Sequence, residues 1–171
     1  LLKDDCFIPG LANKDEKDLA LSAIVSATSE KSPASSVING YSRNIDDEIN
    51  EWISNGINKD GEILSLKLNK PSLVSQIRVT FDPDLSEERF ISVSKAFLEK
   101  EPLGPARDLV KDYAVIVLLE GKPVFEKRYK GNYQRHCITN LEKPILGDEI
   151  QIAVYTTNGS EDAKIFEVRI Y

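Results

Sequence analysis

The chain has 171 residues, of which 41% are hydrophobic and 29% are charged, and its formal net charge is -6. This composition is typical of one folded domain with a sizeable core, and it excludes an intrinsically disordered chain. The charges are spread without a basic stripe, which argues against nucleic acid as a partner, and no apolar run reaches the roughly 20 residues that span a bilayer.

The beginning of the chain predicts an accessory segment. The chain starts with Leu1 and contains no methionine, so we expect it to be a piece of a longer protein. Residues 1–21 include the turn signal Pro9-Gly10 and show little apolar alternation, which predicts a linker or a packed tail with a short helical turn at 16–21. Residues 22–171 are then the folded domain.

The first strand signals follow at once. Residues 22–29 are small and β-branched, and residues 63–68 and 74–81 alternate between apolar and polar side chains with the period of a half-buried strand. Six apolar side chains of the two alternating runs are expected to face the core: Leu64, Leu66, Leu68, Ile77, Val79 and Phe81.

The second half of the chain continues the pattern. Residues 113–119 are apolar on both faces, which predicts a central strand, and the turn signal at 121–123 makes residues 124–129 its hairpin partner. Residues 86–107 predict a long inserted loop. Further strands are predicted at 135–141, around Ile150, Ile152 and Val154, and around Phe166, Val168 and Ile170. With no helical period between them, these strands predict an all-β sandwich of two antiparallel sheets.

Three groups of residues have side chains that could serve in catalysis, in a disulfide bond or in metal binding. His136 and Cys137 would point to opposite faces of a strand, so they are not expected to form a base and nucleophile dyad. Cys6 and Cys137 are expected to be free thiols, although an exported protein would permit a bridge between them. The acidic cluster of Asp46, Asp47, Glu48 and Glu51 lacks the spacing of a calcium-binding loop, and we interpret it as a solvated surface loop.

The order of several short motifs carries a resemblance to a known family. Residues 34–41 read ASSVINGY, residues 51–54 read EWIS, and the two alternating runs follow them. This order resembles the opening half of a discoidin-like, galactose-binding-like domain, the fold of coagulation factor type C domains and many carbohydrate-binding modules. The resemblance implies a jelly-roll β-sandwich with Trp52 in its core.

The flanking segments extend the resemblance to nearly the whole chain. Residues 4–10, 81–85, 131–135 and 165–171 together resemble the C-terminal domain of a bacterial family of large FAD-dependent oxidoreductases. The resemblance implies a non-catalytic accessory domain that docks on the catalytic domain of the same polypeptide, in an exported protein. No glycine-rich dinucleotide turn occurs here, so the FAD of such a parent would bind outside this domain.

The same resemblance implies a metal site. Many discoidin-like domains hold a structural calcium between an early Asp-Gly turn and a glutamate of the last strand. In this chain the turn is Asn39-Gly40 and the matching glutamate is Glu167, with Ser36 and Ser42 as further sources of oxygen. Because asparagine carries no charge and charge count governs affinity, we expect any calcium here to bind weakly.

A contact surface is predicted from two pairs of residues in loops. Tyr41 with Arg43, and Tyr133 with Arg135, combine an aromatic ring with a planar polar group, which is what sugar recognition requires. Exposed aromatic residues also mark contacts with neighbouring domains. Two roles therefore stay open: a carbohydrate-binding module, and a docking domain, which the lack of a cluster of several aromatics slightly favours.

Overall fold

The computed structural model describes residues 12–45, 47–84 and 104–171, and every strand pair in it is antiparallel. Two short 3-10 helices, Leu19–Ser22 and Ala34–Ile38, accompany seven strands in this part of the chain. In chain order the strands are β1 (Ile24–Ala27), β2 (Trp52–Ile53), β3 (Glu62–Phe81), β4 (Val110–Leu119), β5 (Lys122–Tyr129), β6 (His136–Thr157) and β7 (Lys164–Ile170).

The two longest strands, β3 and β6, cross from one layer of the protein to the other. They pair along their length, and the two ends of β3 reach the same end of the molecule. Glu62 accepts a hydrogen bond from Ser29, whose carbonyl accepts one from Trp52, while Phe81 pairs with Ile165, the partner of Trp52 in β7. β3 must therefore turn back on itself, and β6 follows it.

The pairing defines the two layers of the sandwich. The first contains β1, the first half of β3, the second half of β6, β4 and β5, and the second contains β2, β7 and the remaining halves of β3 and β6. Phe81 in the second layer meets Tyr113 in the first, edge to face, with ring centroids 4.9 Å apart. The inner faces of the two layers thus form one core.

The core confirms most of the predicted strands. All six side chains expected to face inward are at most 7% exposed, and Trp52 is 0% exposed. β4 lies between β5 and β6, and it forms the predicted hairpin with β5.

One group of predictions needs correction. The segments 63–68 and 74–81 are not two strands but one, and the strands expected at 135–141 and around Ile150 are likewise parts of β6. The backbone pairing of β3 with β6 resumes at Ser72 after a register shift, so the break in the alternation between the two runs does not end the strand.

The segment before β1 packs on the domain where it is described. Asp18 is 4% exposed and accepts hydrogen bonds from the backbone of Ala20 and of Ile170. The helical turn predicted at 16–21 is observed at Leu19–Ser22. Most of the predicted loop at 86–107 lies outside the described residues, and among those described no helix is long and apolar enough to cross a bilayer.

Five connections between strands emerge at one end of the sandwich, which we call the loop end. The opposite end carries the first 3-10 helix, the turn between β4 and β5, and the bends of β3 and β6. Long loops supported by a rigid scaffold are where binding residues concentrate, so the loop end is the place to look for a site. Its connections are residues 28–51, 54–61, 82–109 (of which 82–84 and 104–109 are described), 130–135 and 158–163.

Candidate binding surface at the loop end

The loop of residues 130–135, which we call the Tyr133 loop, is held by hydrogen bonds to neighbouring segments. The backbone N–H of Asn132 donates to Lys111 O at 2.8 Å, and its side-chain amide donates to Val110 O at 2.7 Å. Asn158 in turn donates to Asn132 O at 3.3 Å. Tyr133 is 71% exposed, so an aromatic ring stands in solvent on a backbone that is held in place from two sides.

Hydrogen bonds also join the connection at 158–163 to the end of the connection at 82–109. The backbone of Asn158 donates to Leu109 O at 3.0 Å, and the backbone of Ser160 donates to Arg107 O at 3.1 Å. Two open cavities of about 470 and 460 Å³ share Gly159, Ser160 and Glu161 as lining residues. The first is completed by Gly56, Ile57, Tyr155, Thr156 and Thr157, and the second by Asp84, Arg107 and Asp108.

Arg135 connects the Tyr133 loop to the first long connection. Its Nη2 donates a hydrogen bond to the carbonyl oxygen of Ser42, 93 residues earlier in the chain. Burial lowers the pKa of the Arg135 guanidinium, and the nearby carboxylates of Asp82 and Glu167 act in the opposite direction. Its Nε is buried and has no hydrogen-bond partner among the described residues.

The structure places Arg135, from one predicted pair, next to the segment that carries the other pair. Ser42, which Arg135 contacts, lies between Tyr41 and Arg43. Tyr133 and Arg43 are exposed, whereas Tyr41 and Arg135 are half-buried. Tyr133 and Arg43 therefore offer the most accessible side chains of this set.

The residues assigned to calcium by resemblance have other partners. The side-chain oxygen of Asn39 accepts a hydrogen bond from the backbone of Tyr41 at 2.9 Å, and its amide nitrogen donates to Asn50 at 2.7 Å. The carbonyl of Ser36 accepts from the backbone of Asn39 at 3.2 Å. Glycine is required at position 40, where φ is +88° and an added Cβ would lie 2.7 Å from the backbone nitrogen of Asn13.

Glu167 lies buried on the outer side of the second layer. It is 4% exposed, and its Oε1 is 2.9 Å from Nη2 of Arg169 without accepting a hydrogen bond of good geometry. Within the ranges that the structure describes, no group of three or more histidine, cysteine or acidic side chains is arranged to hold a metal ion.

The prediction that the whole acidic cluster is solvated is wrong for one of its residues. Asp47 and Glu48 are exposed as expected, and Asp46 lies outside the described residues, but Glu51 is only 3% exposed. The cause is that Asn44 of the same connection, together with Asp82 and Lys164 from other parts of the chain, surrounds its carboxyl group. Its Oε1 accepts a hydrogen bond from Asn44 at 2.9 Å, and its Oε2 has no partner among the described residues.

A second buried carboxyl lies near Glu51. Asp82 is 5% exposed, and its Oδ2 is 3.8 Å from Nζ of Lys164, which also donates to Asp108. Burial raises the pKa of Glu51 to about 7, with a further contribution from Asp82, and it raises the pKa of Asp82 as well. The burial of these two carboxyl groups together was not predicted from the sequence. The available signal was the position of Asp82 directly after the buried alternation that ends at Phe81.

His136 and Cys137 confirm the expected strand geometry. His136 is exposed and its Nδ1 lies 3.1 Å from Oγ1 of Thr80, whereas Cys137 is buried on the inner face with a free thiol. Burial raises the pKa of the Cys137 thiol, which leaves it a poor nucleophile. Cys6 lies outside the described residues.

Solved structures with this architecture cover almost the whole chain. The family 32 carbohydrate-binding module of NanJ from C. perfringens, in complex with galactose, is 24% identical over 90% of this chain and 96% of that chain, with a TM-score of 0.62. The lectin domain of lectinolysin complexed with Lewis B antigen is 14% identical (91% and 96% covered, TM-score 0.68). The family 32 module of EndoD from Streptococcus pneumoniae is 18% identical (90% and 98%, 0.65).

The chain has the galactose-binding-like fold. The expectation of a galactose-binding-like jelly roll is thereby confirmed. At these identities the likeness concerns the architecture of the galactose-binding-like domain alone. No protein-family model matches the chain, and no curated protein matches it. The resemblance to an oxidoreductase domain gains no support from these matches.

Proposed function

We propose that this galactose-binding-like domain is a carbohydrate-binding module, not itself an enzyme, which holds its ligand at the loop end. The observation that carries the proposal is Tyr133, a residue that is 71% exposed on a loop held by Asn132 and Asn158. The ligands of the fold relatives support it, since the NanJ module was solved with galactose and the lectinolysin domain with Lewis B antigen.

A sugar-binding surface must overcome two physical costs of association. A pyranose ring offers little apolar area, so an aromatic platform must supply the contact, and an already ordered loop reduces the entropy lost on association. Tyr133 meets both conditions. Gln134 beside it and Arg43 on the adjoining loop are exposed, which makes their planar polar groups accessible to hydroxyl groups of a ligand.

Tyr133→Ala is the direct test. Glycan-array screening of the domain should identify a ligand, and isothermal titration should then show that Tyr133→Ala weakens its binding about tenfold or more, because the stacking contact is lost. Leu73→Ala is the matched control. Leu73 is 63% exposed at the bend of β3, at the opposite end of the sandwich, and its loss should leave the affinity unchanged.

The alternative role uses the same surface. If the domain docks on the catalytic body of an FAD-dependent parent, the array should stay silent, and Tyr133→Ala should lower the melting temperature of the full-length protein. A silent array together with a lower melting temperature would contradict the carbohydrate-binding role and support docking. The carbohydrate-binding role carries the further expectation of an exported protein, periplasmic or extracellular, where glycans are accessible.

A further inference from the structure

The oxygens that the family resemblance assigns to calcium can be compared with the ligands that a calcium ion requires. Calcium takes about six to eight oxygen ligands, and carboxylate charge sets its affinity. Asn39 uses its side chain to close its own loop, since its oxygen faces the backbone N–H of Tyr41 and its nitrogen bonds Asn50. The asparagine is thus a structural brace, and it adds no charge to the site.

The Ser36 carbonyl accepts a hydrogen bond from the backbone of Asn39, and positive charge already lies beside the other two assigned residues. The Ser42 carbonyl accepts a hydrogen bond from Arg135, and Glu167 Oε1 is 2.9 Å from the Arg169 guanidinium. Glu167 Oε1 is buried without a well-formed hydrogen bond, so it is the one atom here that a cation would suit. A divalent ion next to it would face the repulsion of the arginines where little water screens it. The donor set therefore does not fit calcium.

We propose that the guanidinium of Arg135 is the built-in cation of the loop end, in the role that a metal ion would otherwise have, and that the domain is consequently independent of calcium. One side chain then joins two separate loops. Arg135 lies two residues after Tyr133, and its bond to Ser42 holds the residues on either side of Ser42, Tyr41 and Arg43. Arg135 is accordingly a positioning residue of the binding surface, which does not touch the ligand itself.

Burial disfavours the charge of Arg135 and Arg43 repels it, but three groups around the guanidinium act in the opposite direction. Asp82 and Glu167 attract the guanidinium, and its central carbon lies 5.8 Å from the ring centroid of Phe166, within the range of a cation–π contact. A hydrogen bond from a charged donor is stronger than one between neutral groups. A covalently attached cation also needs no metal supply.

Melting temperatures test the metal independence without any knowledge of the ligand. The native domain should melt at the same temperature in millimolar calcium and in EDTA, and Arg135→Ala should melt about 3–12 °C lower because a charge-assisted hydrogen bond is lost. Arg135→Lys, which keeps the positive charge, should recover part of that loss. Arg128→Ala is the control, since the side chain of Arg128 is 65% exposed, pairs with Glu126 on the same strand and lies 5.7 Å from the ring centroid of Tyr155, and its loss should change the melting temperature little.

A rise of the native melting temperature in calcium, or a fall in EDTA, would overturn the proposal, and so would an Arg135→Lys variant no more stable than Arg135→Ala. The positioning role rests on the proposed function and has its own readout. Well below the melting temperature, Arg135→Ala should weaken glycan binding about tenfold, and Arg135→Lys should restore most of it. Unchanged affinity in Arg135→Ala would refute positioning, whereas a silent glycan array would refute the proposed function and leave the calcium result standing.

Discussion

Trp52→Ala is expected to lower the free energy of unfolding by roughly 3–5 kcal/mol, because it leaves a large cavity in a core that cannot close around it. The indole is 0% exposed, and its Nε1 donates to the carbonyl of Ser29 at 2.9 Å, which the substitution leaves without its donor. Urea unfolding followed by far-ultraviolet circular dichroism measures the change. Fluorescence cannot, since Trp52 is the only tryptophan of the chain.

Trp52→Phe separates the loss of apolar packing from the loss of the hydrogen bond to Ser29. Phenylalanine retains much of the apolar contact and removes the hydrogen bond, so we expect a loss of about 1–2 kcal/mol. If Trp52→Ala cost less than about 1 kcal/mol, the indole would not be the centre of packing between β2 and the loops that the structure describes.

Glu51→Gln is expected to make the domain more stable at pH 8 and to flatten the dependence of its stability on pH. Burial raises the pKa of Glu51 from 4.5 to about 7, so the folded state binds this proton more tightly than the unfolded chain. The resulting stabilisation is complete below pH 4.5 and is lost as the pH rises to about 7. A shift of this size corresponds to at most about 3 kcal/mol.

Chemical unfolding at a series of pH values measures this effect. The native domain should lose stability between pH 5 and 8, and Glu51→Gln should lose less, because its amide is neutral throughout and can still accept the hydrogen bond from Asn44. Glu142→Gln serves as the control, since Glu142 is exposed and should leave the profile unchanged. A Glu51→Gln profile parallel to the native one would show that Glu51 is not the titrating group.

The fold could be predicted wherever local pattern and long-range packing agree. The alternation at Leu64, Leu66 and Leu68 placed these side chains inward without knowledge of their partners, because a half-buried strand requires it. The continuity of β3 could not be predicted. The break in the alternation between the two runs suggests an end of the strand, whereas the pairing with β6 that carries the strand onward involves residues far away in sequence.

The sequence predicts which residue types form the candidate site, but it does not predict which of them come together. An aromatic residue beside a planar polar group is visible in the sequence at Tyr133, and so is its position in a loop. That Arg135 reaches Ser42 depends on how two connections meet in space, which no local pattern encodes. The burial of Glu51 has the same origin, because it depends on Asp82 and Lys164, which come from distant parts of the chain.

The long pairing of β3 with β6 has a consequence for how the domain folds. Ser65 in β3 and Glu149 in β6 are in contact although 84 residues separate them, and Thr80 meets His136 across 56 residues. Pairing over such distances requires the closure of large loops first, and proteins dominated by it fold slowly, on the scale of milliseconds to seconds. During synthesis β3 lacks its longest strand partner until β6 has left the ribosome, so its unpaired edge and its apolar side chains are exposed to aggregation in the meantime.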